Sequence, residues 1–149
     1  KEAGVSKGGL LHHFPSKQAL LDALSQACLD ELEGRLVEQL DKEKDITRGR
    51  FARAYLRAMM DSVNRPDREC WDNLGSLFMS DAGMRANWHT WLTRKLAEHK
   101  ETDDSISSTI VRLASDGLWM ANFAGSPGIS PAKRKLLIRR LTSMAGDDT

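Results

Sequence analysis

Apolar residues recur along most of this chain at steps of three and four, the spacing that places them on one face of an α-helix. The clearest run extends from Leu20 to Leu40, where an apolar side chain stands at every fourth position. It follows Ser16, and because serine is a favourable N-cap we predict a long helix over residues 17–41. Few stretches alternate with the period of two that is typical of strands, so the pattern predicts an all-α fold.

Proline, glycine and aspartate separate further helical segments after this long helix. The predicted segments are Thr47–Asn64, Asp67–Ser80, Ala82–Lys100, Asp103–Phe123 and Pro131–Ala145. The last of them has Ser130 followed by Pro131, the usual order of an N-cap and a first helical residue. Asp103 and Asp104 are most simply interpreted as caps of a helix.

The helix predicted to end at Phe123 is apolar over most of its circumference. From Ile106 onwards its only charges are Arg112 and Asp116, whose spacing of four lets them pair on one face. Such a helix is buried on more than one side, and in a chain of this length one side is expected to face a second subunit. The dimer contacts expected from this helix and the last one are Ile110, Leu113, Ala114, Gly117, Leu118, Ala121, Leu137 and Leu141.

Length and composition exclude several classes of protein. The 149 residues suit one domain, or one domain with a small head, and the 22 basic and 21 acidic side chains nearly balance. Cys28 and Cys70 form neither a disulfide framework nor a thiolate metal site, which favours a reducing compartment. No apolar run approaches the roughly 20 residues of a membrane span, and the N-terminus does not resemble a signal peptide. We therefore expect a cytoplasmic protein with no membrane partner.

The sequence has none of the common arrangements of catalytic residues. It lacks a glycine-rich phosphate loop, a nucleophile elbow, a cysteine–histidine arrangement and the Glu-x-x-His spacing of helical carboxylate enzymes. His12 and His13 are adjacent, and neighbouring side chains on a helix point about 100° apart, which does not suit a shared metal ion. We expect no enzyme activity, no catalytic residue, no metal and no cofactor.

The most informative segment is formed by the first twenty residues. Gly4 suits the left-handed residue that ends a helix, and Ser6 suits the N-cap of the next helix. Two helices joined by a short turn containing glycine form a helix-turn-helix. The second helix is short, ends before Pro15 and begins with small or basic residues, as expected of an element that enters a DNA major groove.

This segment resembles the DNA-binding signature of the tetracycline-repressor family of bacterial transcription regulators. The matching positions are Ala3, Gly4, Val5, Ser6, Lys7, Gly8, Leu10, His13, Phe14, Lys17 and Leu20. The resemblance implies that Lys7–Phe14 is the recognition helix and that Val5 and Leu10 belong to the core of the head, with Phe14. The DNA-contacting residues that it implies are Ser6, Lys7, Gly8, Gly9, Leu11, His12, His13 and Lys17.

Two positions depart from the family pattern. Leu11 stands where the family usually has a tyrosine whose hydroxyl contacts a phosphate, and Gly9 replaces a residue with a longer side chain. We therefore expect the specificity of DNA binding to depend more on Lys7 and His12, or on residues of the head that this chain lacks.

The resemblance also implies a homodimer whose helical body encloses a pocket for a small effector. The second half of the chain is rich in tryptophan and methionine, which favours an apolar or aromatic effector, although such side chains are also common in protein cores. The candidate effector-binding residues are Tyr55, Met59, Trp71, Leu74, Phe78, Trp88, Trp119 and Phe123.

The resemblance divides the chain into two parts. Residues 1–28 are expected to be the C-terminal part of a helix-turn-helix head with the start of the connecting helix, and residues 29–149 the ligand-binding and dimerisation domain. About 30–45 further residues of the head are expected to precede Lys1.

We therefore expect a DNA-binding transcriptional regulator, a repressor that a small molecule releases from double-stranded operator DNA. The alternative is a helical module that binds a small molecule and dimerises but does not bind DNA. Salt-dependent retention of operator DNA distinguishes the two, because phosphate contacts weaken steeply as salt rises.

Overall fold

The computed structural model describes residues 4, 6–43, 47–61, 75–124 and 129–147 and, of Lys7, Asn122 and Phe123, only the backbone. All regular structure within these ranges is helical, which confirms the predicted all-α class. The helices in chain order are α1 (Lys7–His13), α2 (Lys17–Lys42), α3 (Arg50–Asp61), α4 (residues 75–80), α5 (Ala82–Glu98), α6 (Lys100–Asp103), α7 (Ile106–Phe123) and α8 (Pro131–Met144). None of these described helices is long and apolar enough to cross a membrane.

Serine side chains cap the N-termini of three helices, and each accepts a hydrogen bond from a backbone N–H three residues later. The pairs are Ser6 with Gly9 at 3.0 Å, Ser16 with Ala19 at 3.0 Å and Ser130 with Lys133 at 3.2 Å. These caps confirm the predicted starts of α1, α2 and α8.

The start of α3 differs from the prediction. The helix begins at Arg50 rather than at Thr47, because Gly49 has a left-handed φ of +62° that no helix accommodates. A Cβ at Gly49 would stand only 1.8 Å from the carbonyl oxygen of Ala145, so the residue also permits close approach of the C-terminal segment.

Asp103 caps a helix, as expected, but that helix is distant in sequence. Its carboxylate accepts hydrogen bonds from the backbone N–H groups of Phe51 at 2.9 Å and Ala52 at 2.8 Å, at the start of α3. The predicted continuous helix Asp103–Phe123 is therefore wrong at its start. The chain turns at Asp104, and α7 begins at Ile106.

The core is built around α3, which packs between α2 and α7. Phe51, Tyr55 and Leu56 of α3 are fully buried, as are Leu36 of α2 and Val111 of α7. Helix α5 packs against α2, and α8 covers α7 and part of α3. The body is therefore a helical bundle in which α2 forms one long side.

A buried ion cluster attaches the C-terminal end of α2 to α3. The Glu43 side chain is 2% exposed, and its carboxylate accepts hydrogen bonds from Arg53 Nε at 3.1 Å and from Arg57. Arg50 Nη2 donates to the carbonyl oxygen of Leu40 at 2.9 Å, in the last turn of α2.

A second polar cluster joins the middle of α2 to α5. Glu33 accepts hydrogen bonds from Trp91 Nε1 at 2.8 Å and from Lys95 Nζ at 2.5 Å, and Lys95 also donates to Glu98 at 2.8 Å. Burial acts to lower the pKa of Lys95, but its bonds to Glu33 and Glu98 outweigh burial and raise that pKa. The charge on Lys95 is therefore retained where α5 packs against α2.

His99 gives the fold a dependence on pH. Its ring stacks on Phe51 with a centroid distance of 5.0 Å, and burial lowers its pKa below the usual 6.5. The unfolded chain therefore binds this proton at a higher pH than the folded chain does. As pH falls from 6.5 through the folded pKa, the free energy of unfolding is expected to fall.

Urea unfolding at about pH 7.5 and about pH 5.5 measures this effect. His99→Gln should reduce the loss of stability between the two values. His89→Gln is the matched control, because His89 is exposed on α5, and it should leave the loss unchanged. An equal loss in His99→Gln and the unsubstituted protein would contradict the assignment.

Candidate functional site

The residues expected to contact DNA lie in α1 and in the turns on either side of it. Exposed side chains among them are Ser6, Leu11, His12, His13 and Lys17, and Gly8 is exposed as well, while Gly9 is half-buried. The side chain of Lys7 lies outside the described residues. The ring centroids of His12 and His13 lie 5.6 Å apart and the rings meet edge to face, so the two imidazole planes are oriented differently.

The described part of this segment fits the second half of a helix-turn-helix. Gly4 has the left-handed φ predicted for it, +64°, and the helix predicted to precede it lies outside the described residues. Leu10 is 40% exposed, contrary to the expectation that it is buried in the core of the head.

A cavity of about 230 Å³ lies in the body, between α2, α3, α5 and α7, and α4 contributes to its wall. Most of its lining is apolar. The apolar lining residues are Leu29, Leu32, Met59, Phe78, Met84, Trp88, Trp119 and Met120. Polar side chains reach it from α2, as Ser25 and Arg35, and from α7, as Asp116.

Three aromatic rings form one continuous wall of the cavity. Phe78 meets Trp88 edge to face at 5.9 Å and Trp119 edge to face at 6.1 Å. Trp88 also lies 5.4 Å from Trp91, whose indole N–H is bonded to Glu33. Because aromatic pairs favour edge-to-face packing, these contacts restrict the orientation of each ring, and the rings form an apolar wall of defined shape.

The structure brings four of the predicted effector-binding residues to this cavity: Met59, Phe78, Trp88 and Trp119. Tyr55 is fully buried behind the cavity wall instead of lining the space. Trp71 and Leu74 lie outside the described residues, as does the side chain of Phe123.

Sequence reasoning missed the contribution of α2 to the cavity. Its residues Ser25, Cys28 and Arg35 belong to the long helix, for which the sequence predicted an apolar face but no ligand contact. A step of four residues is slightly longer than one helical turn of 3.6 residues, so apolar residues at this spacing shift gradually around the helix. The apolar face of α2 is therefore broad enough to pack on α3 and also to line a cavity. The spacing from Leu20 to Leu40 is the sequence pattern that indicates this broad face.

Among the described residues that line the cavity, Asp116 is the acidic one. Burial raises its pKa, although a hydrogen bond from Tyr55 and the charge of Arg112 oppose the rise. The Tyr55 hydroxyl donates to Asp116 Oδ1 at 2.5 Å, and burial together with Asp116 raises the pKa of Tyr55 well above 10.0. Tyr55 therefore stays protonated and remains a donor.

Arg112 Nη1 lies 3.6 Å from Asp116 Oδ2, as the spacing of four predicted. On the opposite side of the cavity Arg35 is paired with Glu31. Within the described ranges no three histidine, cysteine, aspartate or glutamate side chains are grouped as they would be around a metal ion.

An apolar face of α7 points away from the core. It is formed by Ile106, Ile110, Leu113 and Gly117, all exposed, and Leu136 of α8 is exposed as well. The other predicted dimer contacts are less accessible. Ala114, Ala121 and Leu137 are half-buried, whereas Leu118 and Leu141 lie in the core of this same chain.

A helix-turn-helix segment joined by one long helix to a helical body with an apolar cavity is the arrangement of a ligand-responsive transcription regulator. Residues 49–146 match the family model described as "Tetracyclin repressor-like, C-terminal domain", and residues 1–24 match "Bacterial regulatory proteins, tetR family". No curated protein and no solved structure matched the chain. The chain belongs to the tetracycline-repressor family of DNA-binding transcription regulators, which have a ligand-binding body and are generally not enzymes.

Proposed function

We propose that this regulator is a repressor that leaves its operator when a small molecule occupies the cavity among α2, α3, α5 and α7. One observation carries the proposal. Three residues separate the end of α1 from the start of α2, and α2 supplies Ser25, Leu29, Leu32 and Arg35 to the cavity. A molecule in the cavity therefore contacts the helix that positions the DNA-contacting segment.

The cavity offers a physical route from ligand to head. α2 is fixed to α3 near Glu43 and to α5 at Glu33 and Ser25, whereas its first turns carry α1. A ligand that binds better when α2 is displaced shifts the population toward that arrangement. DNA affinity falls when the displaced heads no longer match successive major grooves, which repeat every 34–36 Å or so.

The regulator acts as a homodimer in this proposal, with residues 1–28 in the head and residues 29–149 in the body. The exposed apolar face of α7 supports the dimer, because Ile110 and Leu113 would leave water when two copies pair. Leu118 and Leu141 are not part of the proposed interface, because both are already buried within a single chain.

DNA binding by the full-length gene product tests the proposal. We expect it to retard DNA from upstream of its own gene, with an affinity that falls steeply as salt rises. Lys7→Ala should weaken this binding by about 10- to 100-fold, because a base or phosphate contact is lost at the first residue of α1.

Lys135→Ala is the matched control, because it removes the same charge from an exposed position on α8. It should change the affinity by less than about threefold. Retention of DNA that is absent, or insensitive to salt, would refute the repressor and favour a module that binds a ligand without binding DNA.

A further inference from the structure

Among the described residues of the cavity lining, Asp116 has an acceptor oxygen that the fold does not use fully. Asp116 Oδ1 accepts the Tyr55 hydroxyl at 2.5 Å, but Oδ2 lies 3.6 Å from Arg112 Nη1, beyond hydrogen-bond distance. An ionised carboxylate can accept about four hydrogen bonds. Asp116 can therefore accept another hydrogen bond from a molecule in the cavity.

Arg35 does not require an anionic ligand. Its guanidinium already donates to Glu31, one turn earlier on α2. Ser25 also has a partner, because its hydroxyl accepts from Asn87 Nδ2 at 3.3 Å. Of the three polar side chains described in the lining, Asp116 is therefore the one whose unused acceptor can recognise a hydrogen-bond donor on the ligand.

The volume of the cavity and its aromatic wall limit the size and shape of the ligand. The cavity of about 230 Å³ is smaller than the roughly 300–1,000 Å³ of pockets for drug-sized molecules. Its wall of Phe78, Trp88 and Trp119 matches the faces and edges of an aromatic ring. A ligand with one or two rings fits both observations.

Building on the proposed function, we propose that the effector is a one- or two-ring aromatic molecule with a single hydrogen-bond donor, a hydroxyl or an amine. The donor binds Asp116, and the ring lies against Phe78, Trp88 and Trp119. Tyr55 acts as a positioning residue, because its hydroxyl holds the carboxylate in place.

Calorimetric titration of the dimeric protein with four probes tests this assignment. 2-Naphthol carries a neutral donor and 1-naphthylmethylamine a cationic one, whereas naphthalene and 2-methoxynaphthalene carry none. Because a hydrogen bond to a charged group contributes about 1.5–3 kcal/mol, the better donor probe should bind about 10- to 100-fold more tightly than naphthalene. The ranking of the two donors decides between a hydroxyl and an amine.

Asp116→Asn should reduce that advantage to less than about threefold, because an amide N–H₂ in place of Oδ2 cannot accept. Asp104→Asn is the matched control, since Asp104 is exposed outside the cavity, and it should keep the full advantage. The comparison of each donor probe with naphthalene needs no substitution and decides the question even if Asp116→Asn does not fold. The comparison of 2-naphthol with 2-methoxynaphthalene shows in addition whether the hydroxyl proton is required.

The outcomes separate this inference from the proposed function. If naphthalene binds as tightly as both donor probes, the inference is overturned while the cavity remains an effector site. If none of the four binds, the inference is overturned, and the proposed function is judged separately by the DNA-retardation experiment. If the donor probe binds through Asp116 but does not release DNA in a retardation experiment, the ligand chemistry stands and the release mechanism fails.

Discussion

Glu43→Gln is expected to lower the free energy of unfolding by about 3 kcal/mol. The carboxylate is 2% exposed and bonds two guanidinium groups, those of Arg53 and Arg57. Glutamine keeps the shape but removes the charge, so Arg53 is left buried without a counter-ion. Breaking a buried pair in this way costs about 3–5 kcal/mol, and the partial exposure of Arg57 places the expected value at the low end.

Urea unfolding of both proteins at neutral pH measures the difference. Glu38→Gln is the matched control, because Glu38 is exposed on the same helix, and it should change stability by no more than about 0.5 kcal/mol. A Glu43→Gln protein as stable as the control would mean that the cluster does not hold α2 against α3.

Leu113→Glu is expected to raise the dissociation constant of the dimer by at least about 100-fold. The side chain is 55% exposed in the single chain, so the substitution is compatible with the fold of each protomer. In a dimer built on the exposed α7 face, the carboxylate would lose its hydration without gaining a partner. Because the two copies are related by two-fold symmetry, the charge enters the interface twice and the cost in the free energy of dimerisation is doubled.

Sedimentation equilibrium across a range of protein concentrations measures this constant. Val37→Glu is the matched control, because Val37 on α2 is 56% exposed and lies outside the proposed interface. The control protein should dimerise like the unsubstituted one. An equally stable dimer with Leu113→Glu would exclude this face of α7 as the interface.

Local chemistry predicted the helix starts better than it predicted the breaks between helices. The N-caps Ser6, Ser16 and Ser130 act on residues three positions later, so a short stretch of sequence contains the whole interaction. Asp103 bonds the start of α3, about fifty residues away, and no local pattern indicates that partner. The late start of α3 likewise depends on Gly49 meeting Ala145.

The cavity could be predicted only in part. Tryptophan and methionine at helical spacing indicated Met59, Phe78, Trp88 and Trp119 as lining residues, and all four line the space. Helical spacing does not predict whether Tyr55 points into the cavity or into the core, because that depends on how α3 is packed between α2 and α7. A charged pair on an otherwise apolar helix was the sequence feature that indicated a special role for Asp116. The sequence analysis interpreted it only as an ion pair with Arg112.

The length of α2 has a mechanical consequence. Its 26 residues form one unbroken rod, and about 12 Å separate Lys17, at the start of the helix, from Ser25, where Asn87 of α5 bonds it. If Ser25 acts as a fulcrum, a tilt of about 10° moves the start of the helix by roughly 2 Å. In the proposed dimer, two such helices would change the distance between their starts by roughly 4 Å, about an eighth of the groove repeat. In the proposed mechanism, a small molecule in the cavity would thus weaken DNA binding while every helix stays folded.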